Sequence, residues 1–122
     1  SKQIENSMTP YILEEREMRA TQIDIFSRLM RDRILWVAGE VNDNMSTIVQ
    51  AQLMFLDSAD SSDITMHIDS PGGSVKSGLS MVNVMDYVKS DIRTICTGMA
   101  ASMGSVLLSS GTKGKRASLI HA

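Results

Sequence analysis

The chain has 122 residues, of which 43% are hydrophobic, and a formal net charge of −2. This length is that of one globular domain, and the charge provides no basic field to attract nucleic acid or an anionic membrane. Because the chain has one cysteine, Cys96, and no apolar run of transmembrane length, we expect no intrachain disulfide, no membrane span and a cytoplasmic location.

Hydrophobic spacing predicts alternating strands and helices after an irregular start. Residues 1–23 show no clean period and are interpreted as an N-terminal arm, and residues 24–122 as the α/β domain, beginning with a short helix over 24–31. Strands are predicted over 34–38, 64–69, 92–96 and 115–120, helices over 43–56, 75–90 and 106–110, and a loop over 57–63. Strands that alternate with helices of this kind are typical of an α/β fold with a largely parallel sheet.

A serine stands at the predicted turn between the third strand and the helix that follows. The stretch from Ala100 to Gly104, A-A-S-M-G, approximates the G-x-S-x-G nucleophile elbow, with alanine in place of the first glycine. In such an elbow the serine hydroxyl projects from the sheet edge, where negative charge can be stabilised. The alternative is that these small residues only allow the helix to pack closely on the strand, since short motifs recur by chance.

A second turn, from Ser70 to Gly73, follows the second predicted strand. Because the carboxyl ends of parallel strands lie at one edge of a sheet, we expect this turn and Ser102 to form one site. Attack by a hydroxyl on an acyl carbon creates an oxyanion, and the amides of Gly73 and Met103 are candidate donors to it. An ordinary Pro-Gly turn is the alternative. A phosphate cradle is disfavoured because no G-x-x-x-x-G-K-[ST] pattern occurs, and we expect neither a cofactor nor a metal.

The two motifs together are similar to a known family. The stretches 69–74 (DSPGGS) and 94–104 (TICTGMAASMG), with 24–29 and 40–43, resemble the proteolytic subunits of the ATP-dependent Clp protease over about residues 8–122. The resemblance implies a crotonase-like α/β fold and a serine endopeptidase built of two stacked heptameric rings. It also implies unfolded polypeptides as substrates and an AAA+ unfoldase partner such as ClpX, ClpA or ClpC.

The resemblance also implies a role for individual positions. Ser102 falls on the nucleophile, and Gly73 and Met103 fall on the oxyanion-hole amides. Residues from about 8 to 23 fall on the axial segment at the ring's pore, which engages the unfoldase. Tyr87 falls on an aromatic residue of the cleft that docks the unfoldase's loops.

Two residues differ from those that the family commonly has in this cleft, and the general base is not identified. Thr65 and His67 stand where the cleft commonly has tyrosines, so the docking surface is expected to be less aromatic. His67 is interpreted as a structural or surface histidine, and His121 comes too early after Ser102 to be the family's base. The resemblance thus implies that the catalytic histidine and aspartate, and the ring-joining helix, are missing from these 122 residues.

Three hypotheses remain open at this stage. The first is a peptidase subunit that is inactive without the missing residues. The second is a crotonase-like acyl-CoA enzyme, which would use the same backbone oxyanion hole without a serine at position 102. The third is a catalytically silent ring subunit, against which the serine argues.

Overall fold

The computed structural model describes residues 9–122, which divide into two units, the first ending at Asp32 and the second running from Arg33 to Ala122. The described part of the first unit is helix α1 (Pro10–Arg31). The Thr9 hydroxyl caps this helix by accepting the Ile12 N–H at 3.3 Å, and proline occupies its first turn, where a missing N–H costs nothing.

Helix α1 corrects the interpretation of residues 10–23 as an arm without regular structure. The helix runs through the predicted boundary at residue 24, and residues 1–8 of the predicted arm lie outside the described residues. No residue of α1 is buried, and residues 10–23 show no hydrophobic period in the sequence, whereas the short helix predicted over 24–31 is confirmed as the last part of α1. Its Leu, Glu, Arg, Met and Ala residues are strong helix formers, which explains the helix without that period.

The second unit consists of four strands that alternate with three helices. In chain order the elements are β1 (Ile34–Ala38), α2 (Asp43–Ala59), β2 (Ile64–Ser70), α3 (Val75–Tyr87), β3 (Ile92–Ala100), α4 (Met103–Ser109) and β4 (Arg116–Ser118). The strands form a parallel sheet in the order β1-β2-β3-β4. The predicted α/β fold with a parallel sheet is therefore confirmed.

Several element ends differ from the predicted ones. Helix α2 continues to Ala59, into the predicted loop, and β3 continues to Ala100, past the predicted end at residue 96. Helix α4 begins at Met103, directly after the candidate serine, whereas the apolar run predicted a start at residue 106. Strand β4 is restricted to Arg116–Ser118.

The sheet buries one face under its helices. Right-handed crossovers between sequential parallel strands place all the connecting helices on that face. In β2 the residues Ile64, Met66, Ile68 and Ser70 are buried there, and the alternate residues point to the other face. Among residues 9–122, no helix combines the length and apolarity needed to cross a membrane.

Arg33 stabilises the edge of the sheet where β1 and β2 begin. It has a positive φ of 62°, and its side chain is 14% exposed. Its guanidinium donates to four backbone carbonyls and one hydroxyl, those of Leu56, Asp60, Ser62, Asp63 and Ser90. One side chain thus ties the end of α2, the loop before β2 and the loop before β3 together.

Candidate active site

Ser102 occupies a strained turn between β3 and α4. Its φ of 53° and ψ of −124° lie outside the regions that residues with a Cβ normally adopt. Such a conformation costs about 1–3 kcal/mol and persists only where the surrounding structure imposes it. The side chain is exposed, and its hydroxyl makes no hydrogen bond to any other described residue. The turn therefore presents a free hydroxyl, as a nucleophile elbow does.

The Ser70–Gly73 turn lies directly against this elbow. The Ser70 carbonyl accepts the Ala101 N–H at 3.1 Å. A Cβ built on Gly72 would lie 2.8 Å from the Ser102 Cβ and 3.1 Å from the Met103 nitrogen. The two turns therefore meet at the carboxyl edge of the sheet, as the parallel strands predicted.

The Ser70 side chain determines which amide of the glycine pair is free. Its Oγ donates to the Gly39 carbonyl at 2.6 Å and accepts the Gly72 N–H at 3.1 Å. The Gly72 amide is thus already engaged, which leaves the Gly73 amide, the one proposed from the sequence, as the free donor of the pair. Ser70 is fully buried, so this bond links the end of β1 firmly to the turn.

The backbone of Val41 holds the turn from its other side. The Val41 N–H donates to the Gly72 carbonyl at 2.9 Å, and the Val41 carbonyl accepts the Ser74 N–H at 2.8 Å. A Cβ on Gly73, whose φ is 150°, would collide with the Val41 carbonyl oxygen. Only glycine allows this close approach, which fixes the orientation of the Gly73 peptide.

The two predicted donor amides remain without a partner in the described chain. Neither the Gly73 N–H nor the Met103 N–H donates to an acceptor within residues 9–122. Met103 is buried as the first residue of α4, and its side chain fills the space where Gly78 of α3 lacks a Cβ. Packing against α3 therefore anchors the residue that carries this amide.

Neither histidine lies within hydrogen-bonding distance of Ser102. His67 stacks on Trp36, with ring centroids 4.6 Å apart, and its Nδ1 lies 3.3 Å from the Thr97 Oγ1. Burial lowers the pKa of His67 below its ordinary value, because the charged imidazolium would lose solvation. His121 is exposed near the end of the chain. The environment of His67 agrees with the structural role expected from the sequence.

Two residues of the candidate site were not singled out from the sequence. Ser70 fixes the glycine turn, as described above, and the Asp69 carboxylate accepts the Met99 N–H of β3 at 3.0 Å. Both belong to the DSPGGS motif, but their hydrogen bonds depend on strand register, which one sequence does not reveal. Tyr87, the predicted partner-binding residue, ends α3 with 74% of its surface exposed.

The fold and the site define an α/β protein with a strand-to-helix serine elbow beside a glycine turn. The chain belongs to the Clp protease family, whose model matches residues 15–122. It is 53% identical over 116 residues to the ATP-dependent Clp protease proteolytic subunit of Bacteroides fragilis, covering 94% of this chain and 56% of that relative. The same subunit of Bacteroides thetaiotaomicron is also 53% identical, with 94% of this chain and 53% of the relative covered.

A more distant relative gives the same result. The ATP-dependent Clp protease proteolytic subunit 2 of Bacillus licheniformis is 50% identical over 111 residues, covering 90% of this chain and 58% of the relative. The chain thus spans about half the length of the curated relatives it matches.

Proposed function

We propose that the chain supplies the nucleophile and the oxyanion hole of a serine endopeptidase, as a proteolytic subunit of an ATP-dependent Clp protease. The observation that carries the proposal is the junction of the two turns. A free hydroxyl in a strained elbow lies against a glycine turn, and one amide of each turn has no partner among the described residues. The names of the relatives support the choice of reaction.

In this proposal the Ser102 Oγ attacks the carbonyl carbon of a peptide bond. A general base takes the hydroxyl proton, and the carbonyl oxygen becomes an oxyanion that the N–H groups of Gly73 and Met103 stabilise. Each such donor is typically worth about 3 kcal/mol of the barrier. Collapse of the intermediate breaks the C–N bond, the protonated base donates its proton to the amine, and water then hydrolyses the acyl-enzyme.

The general base and the residue that orients it lie, in this proposal, outside these 122 residues. His67 is held by Trp36 and Thr97 in the middle of the sheet, and the chain spans about half the length of its relatives. A serine at its ordinary pKa is a weak nucleophile without a base. Residues 1–122 alone are therefore expected to be inactive.

Substrates and partners follow the family in this proposal. Unfolded polypeptides are cleaved inside two stacked heptameric rings in the cytoplasm, after an AAA+ unfoldase delivers them. The axial segment, residues from about 8 to 23, engages the unfoldase, and Tyr87 belongs to the cleft that docks the unfoldase's loops. Support for assembly comes from exposed apolar side chains on α1, which a partner surface would cover: Tyr11, Met18, Ile23, Ile25 and Phe26.

Hydrolysis of a fluorogenic peptide by the full-length protein tests the proposed reaction. Ser102→Ala is expected to reduce turnover by about 10⁴- to 10⁶-fold. Ser109→Ala is the matched control, because Ser109 is an exposed serine of α4 whose hydroxyl bonds only to the helix backbone, at the Val106 carbonyl. Unchanged hydrolysis by the Ser102→Ala variant would refute the proposed function.

A further inference from the structure

Strands β2 and β3 lose their regular register just before the serine elbow. Ile68 is paired with Cys96, and the next pair is Ser70 with Ala100. Asp69 alone therefore lies opposite Thr97, Gly98 and Met99. Such a bulge leaves backbone groups of the longer strand without their usual partners in the sheet.

The Asp69 side chain replaces one of the missing ladder bonds. Its Oδ1 accepts the Met99 N–H at 3.0 Å. Gly98 makes room for it, since a Cβ there would lie 2.7 Å from Oδ1 and 3.0 Å from Oδ2. The Asp69 carbonyl in turn accepts the Gly39 N–H at 2.9 Å, which holds the residue from the side of β1. A carboxylate anchored to the sheet thus fixes the bulge.

We propose that Asp69 is a positioning residue for Ser102, which it controls through the bulge of β3. The proposal rests on the proposed function, because Ser102 is the group that it positions. Ala100 pairs with Ser70 directly after the bulge, and the elbow follows. Without the Asp69 acceptor, residues 97–99 of β3 can pair with β2 in another register, and Ser102 then shifts relative to Gly72.

Such a shift has large consequences because the two turns are in close contact. The position of a Cβ on Gly72 lies 2.8 Å from the Ser102 Cβ, so even small shifts change the site. Misplacing a reacting group by about 1 Å can cost about 100-fold in rate. Because the shift displaces the nucleophile and not a substrate contact, kcat changes more than KM.

The Asp69 interaction requires an acceptor oxygen and not a negative charge. Asparagine offers an Oδ1 in the same place, so Asp69→Asn preserves the bond to Met99, whereas Asp69→Ala removes it. Asp60 offers a control, since its Oδ1 accepts the Ser62 N–H at 2.7 Å in the loop before β2, at the opposite edge of the sheet from the elbow, and lies 3.5 Å from the Arg33 Nη1. Asp60→Ala thus also removes an exposed carboxylate that bonds to a backbone amide.

The experiment measures peptide hydrolysis and hydrogen–deuterium exchange on the full-length protein and these variants. Asp69→Ala is expected to lower kcat by roughly 10- to 100-fold and change KM by less than about threefold. Asp69→Asn and Asp60→Ala are expected to retain kcat within about threefold. Exchange across residues 97–102 is expected to accelerate in Asp69→Ala but not in Asp69→Asn.

A kcat of Asp69→Ala within about threefold of the wild type overturns the positioning role, even where exchange accelerates. Unchanged exchange over residues 97–102 in Asp69→Ala overturns the positioning role, whatever the activity. Loss of kcat in Asp69→Asn equal to that in Asp69→Ala overturns it as well, because the charge would then be the requirement. Hydrolysis that persists in Ser102→Ala, measured alongside, refutes the proposed function instead, so the two failures are distinguishable.

Discussion

Substitution of Gly72 by alanine is expected to lower the activity of the site strongly. The accompanying loss of folding stability is expected to be comparable to that of an alanine substitution at another glycine with positive φ. Gly72 has a φ of 103°, and its added Cβ would lie 2.8 Å from the Ser102 Cβ, 3.0 Å from the Ala101 carbonyl oxygen and 3.1 Å from the Met103 nitrogen. Carbon atoms prefer a separation of about 3.5–4.0 Å. The turns must therefore separate by roughly 1 Å to accept the methyl group.

The size of the effect follows from that displacement. A misplacement of about 1 Å costs about 100-fold in rate, which is about 2.7 kcal/mol of transition-state stabilisation. The positive φ costs a further 1–3 kcal/mol, roughly, but this term reduces folding stability and not the rate of the folded enzyme. The expected result is a drop of about 100-fold in kcat/KM with a moderate loss of stability.

Gly114 provides the control for backbone strain. It has a φ of 85°, but a Cβ there would meet nothing within 4 Å. Gly114→Ala should lose comparable stability in urea denaturation and keep its kcat/KM for a fluorogenic peptide. If Gly72→Ala is as active as the wild type, or if Gly114→Ala loses as much kcat/KM, the contact between the two turns does not control the chemistry.

Three further predictions concern stability, pH and the isolated chain. Arg33→Ala should lower the free energy of unfolding by about 2–4 kcal/mol in urea titrations, because several backbone carbonyls lose their donor. Arg28→Ala, which removes only an exposed ion pair with Asp32, is the control, and a similar loss there would contradict this prediction. Burial lowers the pKa of His67 in the folded state below 6.5, so the unfolded state binds a proton more readily. The free energy of unfolding is therefore unaffected by this group above about pH 6.5 and decreases as the pH falls through the folded-state pKa. The melting temperature should therefore fall more between about pH 7 and pH 5 in the wild type than in His67→Gln, and equal falls would be evidence against this effect. Residues 1–122 alone should not hydrolyse the peptide, and turnover near that of the full-length protein would place the base within them.

The sequence predicted β2 well because the residues of that strand alternate strictly. In β2 the buried residues occupy every second position from Ile64, and this period places the strand almost to the residue. The first part of helix α1, residues 10–23, could not be placed in the same way, since its apolar residues show no clean period and none of them is buried. Hydrophobic periodicity reflects burial, so a segment without buried residues need not show it.

The candidate site was predictable as a pair of turns but not in its hydrogen bonds. The motifs located Ser102 and the glycine turn, and parallel topology brought them to one edge. Which glycine amide is free depends on the Ser70 hydroxyl, which occupies the Gly72 N–H. The role of Asp69 depends on a register shift between strands that local sequence does not encode. The contacts that orient the site are long-range, whereas motifs are local.

Covalent labelling of the active protein tests the central claim most directly. A fluorophosphonate reacts with an activated serine, because the phosphoryl oxygen occupies the oxyanion hole while the hydroxyl attacks. In the full-length protein we expect one adduct, located on Ser102 by mass spectrometry and absent from Ser102→Ala. Labelling that survives Ser102→Ala, or active protein that carries its adduct on another serine, would contradict the assignment of Ser102 as the nucleophile.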